Sequence, residues 1–408
     1  MANASEGGRK AYLDGLRGVA ALVVLICHVL LVLAPDLLAI NGKTGWAVYL
    51  TAVGKSPLAL FWNGNSAVCV FFVLSGYVMT DFAQRTALSF PAQAIRRYLR
   101  LAIPILITSS FAWLLLRMGL LRNAVEPDVV GSWMAGWYSF APSFSAMTYE
   151  ALAGTFLTGS NAYNLNLWTM HPELAGSLYV LLFCAVARNR GERTLLNGIL
   201  MVVYLTDYLP LFAVGALFHD YEAELSRIGS RFAIVLFIAG AYACSMPTFG
   251  TEIPLPWHAL LPRILIDDVR YWHAIGASLI VLGVLHSASL QEMFASRVGR
   301  FLGRISFTLY LIHIPLLASF TAALMLAMND MGRLPTLLVA GPASVALVLA
   351  TSWLTSDAID DFGLRVSRAA GRLWMRLFTE NEPEATESKA LGLDLPSGLL
   401  ACADEVIE

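Results

Sequence analysis

The stretch "YLDGLRGVAALVVLICHV" at residues 12–29 decides the fold class of this chain. It is dominated by apolar residues, and about 20 such residues are needed to cross the hydrocarbon core of a bilayer. A backbone that faces lipid has to satisfy its own hydrogen bonds, so a crossing segment of this kind is predicted to be a helix. Its polar residues Asp14, Arg17 and His28 are separated by three- and four-residue steps and their multiples, which puts them on one face.

Similar apolar segments recur along all 408 residues, and the composition fits them. Hydrophobic residues make up 57% of the chain and charged residues 14%, against roughly 25% charged residues in soluble domains. The residues Asp207 to Pro210 interrupt one long apolar stretch and favour two short helices there. We predict an all-α polytopic membrane protein, a bundle of about ten transmembrane helices near residues 15–34, 66–82, 99–117, 168–187, 194–206, 208–219, 231–247, 272–286, 302–327 and 335–356.

The distribution of Lys and Arg predicts the orientation. If the N-terminus is cytoplasmic, most loop cations fall on the cytoplasmic side, as the positive-inside rule requires. Both termini are therefore predicted to be cytoplasmic, in an inner or plasma membrane. The predicted organisation is a cytoplasmic segment 1–11, a transmembrane domain 12–360 and a cytoplasmic tail 361–408, disordered from about 379 because it is acidic and lacks periodicity. No basic stripe suited to nucleic acid and no cysteine spacing typical of a metal site is seen.

Arg17 and His28 are eleven residues apart, which is about 16 Å or nearly three helical turns. Two interpretations fit this spacing. In the first, Arg17 holds an anionic group at the mouth of a shaft, and His28 works at its end as a general base whose neutral imidazole takes a proton from a hydroxyl. In the second, Arg17 extends to the membrane surface and His28 is a buried residue with its hydrogen bonds satisfied. Asp14 is a further candidate on this face.

Two other segments carry charges at helix starts. Arg97 and Arg100 lie one turn apart at the start of the third segment and suit phosphate oxygens, although ordinary positive-inside charge also explains them. Glu173 follows Pro172 at the start of the fourth segment, where an acidic residue suits the helix dipole. Its functional interpretation is a group next to the outer surface that binds an acceptor.

The ninth segment, "FLGRISFTLYLIHIPLL", places Ser306, Tyr310 and His313 on one face. An intramembrane histidine is a functional candidate, and packing or hydrogen bonding explains it equally well. Ser75-Gly76 in the second segment is expected to permit close helix approach. The long loop 118–167 is rich in Trp and Tyr, which fits an aromatic interface belt or a platform for a sugar ring.

Together these segments resemble the acyltransferase-3 family of membrane O-acyltransferases. The resemblance covers roughly residues 12–356 and rests on five motifs in order: the Asp-Gly-Leu-Arg-Gly start with ten residues between Arg17 and His28, "FFVLSG", the pair Arg97 and Arg100, Trp168 to Glu173, and Leu302 to His313. Where many relatives read "SVEEQFY", this chain reads "HPELAGSLY", so the residues on the acceptor side differ.

The resemblance implies a donor, a reaction and site residues. Cytoplasmic acyl-CoA, commonly acetyl-CoA, would be the donor substrate, with no permanently bound cofactor and no metal. His28 would be the catalytic base, Arg17, Arg97 and Arg100 would surround the donor phosphates, and Glu173 would be a second essential group. The acceptor would be a hydroxyl of a carbohydrate or lipid-linked carbohydrate. The alternatives are a transporter of saccharides or lipid-linked oligosaccharides and a non-catalytic sensor.

Overall fold

The computed structural model describes residues 10–38, 46–125, 129, 132–248 and 269–378, and the regular secondary structure within them is helical. The ten principal helices of these residues are α1 (Ala11–Leu33), α2 (Gly64–Arg85), α3 (Phe90–Arg117), α4 (Met170–Val186), α5 (Arg190–Val203), α6 (Leu209–Asp220), α7 (Ser230–Cys244), α8 (Val269–His286), α9 (Arg297–Leu316) and α10 (Arg333–Phe378). A π-helical turn, Leu317–Thr321, and the helix Ala322–Ala327 extend α9. The all-helical prediction is confirmed for these ranges.

Each of the ten predicted segments falls on one of these helices. Seven of the helical stretches in the described ranges are long and apolar enough to cross a membrane, whereas α6 and α7 are apolar but shorter. The residues Tyr204–Tyr208 separate α5 from α6, so the prediction of two helices at this point is confirmed. The number of ten crossings and the placement of the termini stay predictions.

Helices α1 and α9 cross with their backbones in contact, and this contact positions the polar residues of both. A Cβ atom added to Gly18 would lie 2.4 Å from the backbone nitrogen of Gly303, and one added to Gly303 would lie 2.7 Å from the backbone of Asp14. In lipid there is no hydrophobic driving force between helices, so they associate through close packing, which small residues such as glycine permit. The two helices run in the same direction, so the side chains ten residues further along each helix also meet.

The expected close approach at Ser75-Gly76 is confirmed. A Cβ atom added to Gly76 would lie 2.1 Å from the carbonyl oxygen of Phe212 in α6, and one added to Gly215 would lie 2.0 Å from the carbonyl oxygen of Val73. Neither glycine has room for a side chain. Ser75, the neighbour of Gly76, is thereby held facing α4.

The end of the long loop 118–167 folds into the bundle. Pro315 inside α9 has no N–H group, so the carbonyl of Leu311, four residues earlier, lacks its usual helical partner. The amide of Asn164 donates to that carbonyl at 2.6 Å, and Asn166 donates to the adjacent carbonyl of Tyr310. The loop is thus bonded to α9 at the turn that carries Tyr310 and His313.

Helix α10 has 46 residues, which gives a length of about 69 Å, more than twice the hydrocarbon thickness. It runs along α3, where Gly363 packs on the Pro104 ring and Gly371 packs on the side chain of Arg96. The predicted domain boundary at residue 360 therefore lies inside a continuous helix. The predicted disordered tail from residue 379 lies outside the described residues.

Candidate active site

Six helices (α1, α2, α3, α4, α9 and α10) and the segment that leads into α4 line a cavity of about 220 Å³. Its apolar walls include Phe71, Phe72 and Leu101. Its polar and charged lining residues are Arg17, Ser75, Arg97, Arg100, Thr169, Glu173, Arg304, Ser306, Tyr310 and Asp360. The cavity thus brings together Arg17 of α1 with Arg97 and Arg100 of α3, the three arginines that the sequence predicted to bind phosphates. It adds Arg304 of α9.

Arg97 and Glu173 form an ion pair in the wall of the cavity. The side chains are 14% and 11% exposed, and further hydrogen bonds hold both. Arg97 Nε donates to Ser177 Oγ at 3.0 Å, and Ser75 Oγ donates to Glu173 Oε1 at 2.6 Å. A buried pair of this kind is costly to break, by about 3–5 kcal/mol, since one charge is left uncompensated.

Glu173, which was expected next to the outer surface, is buried in the wall of the cavity. Glu173 contacts Ser75, which lies halfway along α2, and Arg97, which belongs to the cationic side of the cavity. The physical reason is the preceding loop, which enters the bundle before α4 begins and carries the start of α4 inward with it. His171, expected to be an exposed neighbour, is exposed, and its ring nitrogen lies 2.6 Å from the Phe156 carbonyl oxygen.

The other lining arginines are also held by carboxylates or carbonyls. Arg100 donates to the Asp360 carbonyl oxygen at 2.9 Å, and its guanidinium lies 3.9 Å from the Asp360 carboxylate. Arg17 lies 3.6 Å from Asp14, and Arg304 pairs with Asp357. The lining itself has four arginines and two carboxylates, and Asp14 and Asp357 pair with two of these arginines from outside the lining.

His28 and His313 form a hydrogen-bonded pair beyond the cavity. His313 Nδ1 lies 3.1 Å from the Leu309 carbonyl oxygen, which only accepts, so the proton belongs on Nδ1 and Nε2 carries a lone pair. That Nε2 lies 3.1 Å from His28 Nδ1, which also lies 3.0 Å from the Val24 carbonyl oxygen. Both neighbours accept, which makes His28 Nδ1 the donor. This network assigns the lone pair of His28 to Nε2.

Tyr310 stands between the cavity and the two histidines. Its ring lines the cavity and lies 5.9 Å from the ring of His313, and its hydroxyl lies 2.7 Å from Thr169 Oγ1 and 3.0 Å from the Asn166 carbonyl oxygen. His28 is not among the lining residues. The predicted shaft from Arg17 therefore ends at Tyr310, and the chain of contacts continues to His28 through His313.

An indole from the long loop lies on the other side of His28. The ring centroids of Trp133 and His28 are 5.6 Å apart, and Trp137 follows at 6.2 Å from Trp133. Trp133 is half-buried. It also packs against buried apolar side chains of the core, and the choice between an aromatic belt and a ligand platform stays a prediction.

Sequence reasoning missed Arg304, Asp360 and Ser75. The signal for Arg304 was present. A charged side chain inside a membrane-spanning segment costs free energy, so an arginine in the predicted apolar segment 302–327 is a functional candidate. Asp360 lies beyond the predicted end of the last segment. Ser75 was assigned to helix packing, and only the fold shows that it also bonds Glu173.

Comparison with known proteins identifies the family. The acyltransferase-3 family model, an acyltransferase domain, matches residues 10–356. The chain belongs to the acyltransferase-3 family. It is an acyltransferase with several apolar helices suited to a membrane, as the motifs around Arg17, Arg97 and His313 imply.

The similar curated proteins are fungal enzymes. Acyltransferase R4 of a Phoma species is 24% identical to this chain, in an alignment that covers 76% of this chain and 83% of the relative. Acyltransferase clz18 of Cochliobolus lunatus is 23% identical, with the same coverage. O-acetyltransferase PaAT-1 of Phomopsis amygdali is 24% identical over 93% of this chain and 88% of its own length. No solved structure matches the chain significantly.

Proposed function

We propose that this protein is a membrane-embedded O-acyltransferase of ten crossings with both termini in the cytoplasm. It moves an acetyl group from cytoplasmic acetyl-CoA to a hydroxyl of a carbohydrate or lipid-linked carbohydrate. The observation that carries the proposal is a cavity lined by four arginines that ends at Tyr310, whose ring contacts the ring of His313, the hydrogen-bond partner of His28. The name of the Phomopsis relative supports acetyl transfer to oxygen.

The donor fits the cavity by charge and by length. Coenzyme A carries a diphosphate, and planar guanidiniums bind phosphate oxygens in pairs. The eleven residues between Arg17 and His28 correspond to about 16 Å along α1, a span suited to the flexible arm between the phosphates and the thioester. In this arrangement Arg17, Arg97 and Arg100 hold the phosphates, and the acyl group passes Tyr310 to reach His28.

The acceptor approaches His28 from the side of Trp133. A half-buried indole whose ring lies 5.6 Å from the imidazole gives a hydroxylated ring a flat apolar face beside the reacting atoms. Glu173 has a different task from the one expected for it. Bonded to both Arg97 and Ser75, it positions the Arg97 guanidinium in the donor cavity.

The reaction needs one proton transfer in each direction. His28 Nε2 takes the proton of the acceptor hydroxyl as its oxygen attacks the thioester carbonyl. The new carbon–oxygen bond forms, the carbon–sulfur bond breaks, and the coenzyme A thiolate receives the proton from His28. The developing imidazolium donates through Nδ1 to His313 Nε2, so His313 is a positioning residue that fixes the tautomer of His28.

Labelled donor tests this proposal. Membranes that contain the protein are incubated with radiolabelled acetyl-CoA, and the label in extracted glycans and lipids is counted. The proposal expects base-labile label in a hydroxylated acceptor, which identifies the acceptor. Uptake or movement of saccharide without any labelled product would instead indicate a transporter and contradict the proposal.

A further inference from the structure

A second group of arginines lies on the seam between α3 and α10, outside the cavity. The stem of Arg96 packs on Gly371, where an added Cβ would lie 2.6 Å from Arg96 Cδ, and its guanidinium lies 5.3 Å from the ring centroid of Phe82. Arg96 is half-buried, and Arg368 and Arg372 are close enough to repel it. We call Arg96, Arg368 and Arg372 the seam cluster.

The seam cluster has no counter-charge within the described part of the chain. The three carboxylates of α10 lie near other arginines: Asp357 pairs with Arg304, Asp361 is also close enough to attract Arg304, and Asp360 lies beside Arg100. Like charges brought together at a partly buried site destabilise it, because nearby water screens them less well than at an open surface. Positive-inside charge explains cations in this region but not their convergence on Arg96.

The seam cluster lies next to the cavity arginines, on the side toward Phe90, the first residue of α3. Arg96 precedes Arg100 by one turn of α3. Along α10, Arg368 follows Asp357 by eleven residues, which is about 16 Å and nearly three turns, so both lie on one face. Asp357, at the end of this face nearer the cavity, pairs with Arg304 of the cavity lining. A ligand whose phosphates lie at the cavity arginines would therefore meet a second group of arginines where it extends out of the cavity along α3 and α10.

We propose that the seam cluster binds the phosphate on the ribose of coenzyme A, while the cavity arginines bind the diphosphate. This inference rests on the proposed function. Coenzyme A carries its phosphates at two places, the diphosphate and the ribose, and the protein offers arginines at two levels along one path. Three guanidiniums without a carboxylate match a phosphate that carries close to two charges near neutral pH.

Binding of coenzyme A and dephospho-coenzyme A, which lacks only the ribose phosphate, tests the inference without knowledge of the acceptor. The full-length protein is titrated with each ligand by calorimetry in detergent and in phosphatidylcholine vesicles with and without phosphatidylglycerol. Hydrogen bonds to charged groups support an expected loss of affinity of about 10- to 100-fold for the dephospho ligand. The double variant Arg368→Gln/Arg372→Gln should bind both ligands equally, at the affinity of wild type for the dephospho ligand.

The matched control is Arg365→Gln/Arg376→Gln, which removes the same charge from exposed positions of the same helix. It should keep the preference of wild type for coenzyme A. Equal binding of the two ligands by wild type would overturn the inference and leave the proposed function intact. Binding of neither ligand would overturn the proposed function itself. A preference that appears only when phosphatidylglycerol is absent from the vesicles would assign the seam cluster to lipid headgroups and overturn the inference.

Discussion

Replacing His313 tests how the His28 base is held. In the variant His313→Leu, the acceptor for His28 Nδ1 is lost, and only the Val24 carbonyl oxygen is left to hold the ring. The bond matters most in the transition state, when His28 becomes positively charged, and a hydrogen bond to a charged group contributes about 1.5–3 kcal/mol. At about 1.4 kcal/mol per factor of ten, kcat should fall about 10- to 150-fold.

The assay separates this positioning role from a packing role. Transfer of label from acetyl-CoA is measured at saturating donor for kcat and over a range of donor concentrations for KM, and thermal unfolding reports stability. We expect kcat to fall while the donor KM changes little, because His313 does not line the donor cavity. His313→Gln supplies a carbonyl oxygen as an acceptor and should recover part of the loss.

Two results would refute the reasoning on His313. One is a His313→Leu enzyme with near-normal kcat. The other is a loss that His313→Gln does not relieve and that follows the loss of thermal stability, since this would indicate packing alone.

Three further predictions concern the donor, the acceptor and the fold. Arg97→Ala should raise the donor KM about tenfold or more, because it removes a guanidinium from the phosphate site and leaves Glu173 unpaired; an unchanged donor KM would remove Arg97 from that site. Trp133→Ala should raise the acceptor KM in the labelled-transfer assay and leave coenzyme A binding unchanged, whereas weaker coenzyme A binding would place the indole on the donor side. Gly18→Leu should abolish folded protein in size-exclusion chromatography, since even a Cβ atom there meets the backbone of α9 at 2.4 Å, while Gly198→Ala, with open space around it, should fold normally; a well-folded Gly18→Leu protein would contradict the α1–α9 packing.

The sequence predicts the helices well because their signal is local. Apolar length and helical periodicity mark each segment, and the same periodicity puts Arg17 on the face of α1 that lines the cavity. The break between α5 and α6 is equally local, since Pro210 cannot continue a helix from its preceding turn. The position of Arg97 and Arg100 near one end of a helix can also be predicted, because the apolar segment begins beside them.

The rest of the site depends on how distant segments meet. The depth of Glu173 is set by a loop that bonds to α9 where Pro315 frees a carbonyl, which no local pattern near Glu173 reveals. Trp133 gives the same composition signal whether it faces lipid or His28. The carboxylate of Asp360 contributes to the site only because α10 continues as a helix beyond the apolar segment and packs against α3.

The most direct measurement is acyl transfer by a His28→Gln enzyme that is folded and inserted in the membrane. The account predicts unchanged binding of coenzyme A and a loss of transfer of at least the 10²–10⁴-fold that general base work provides, whereas His171→Gln, a change at an exposed histidine, keeps normal transfer. Near-normal turnover by His28→Gln would contradict the account.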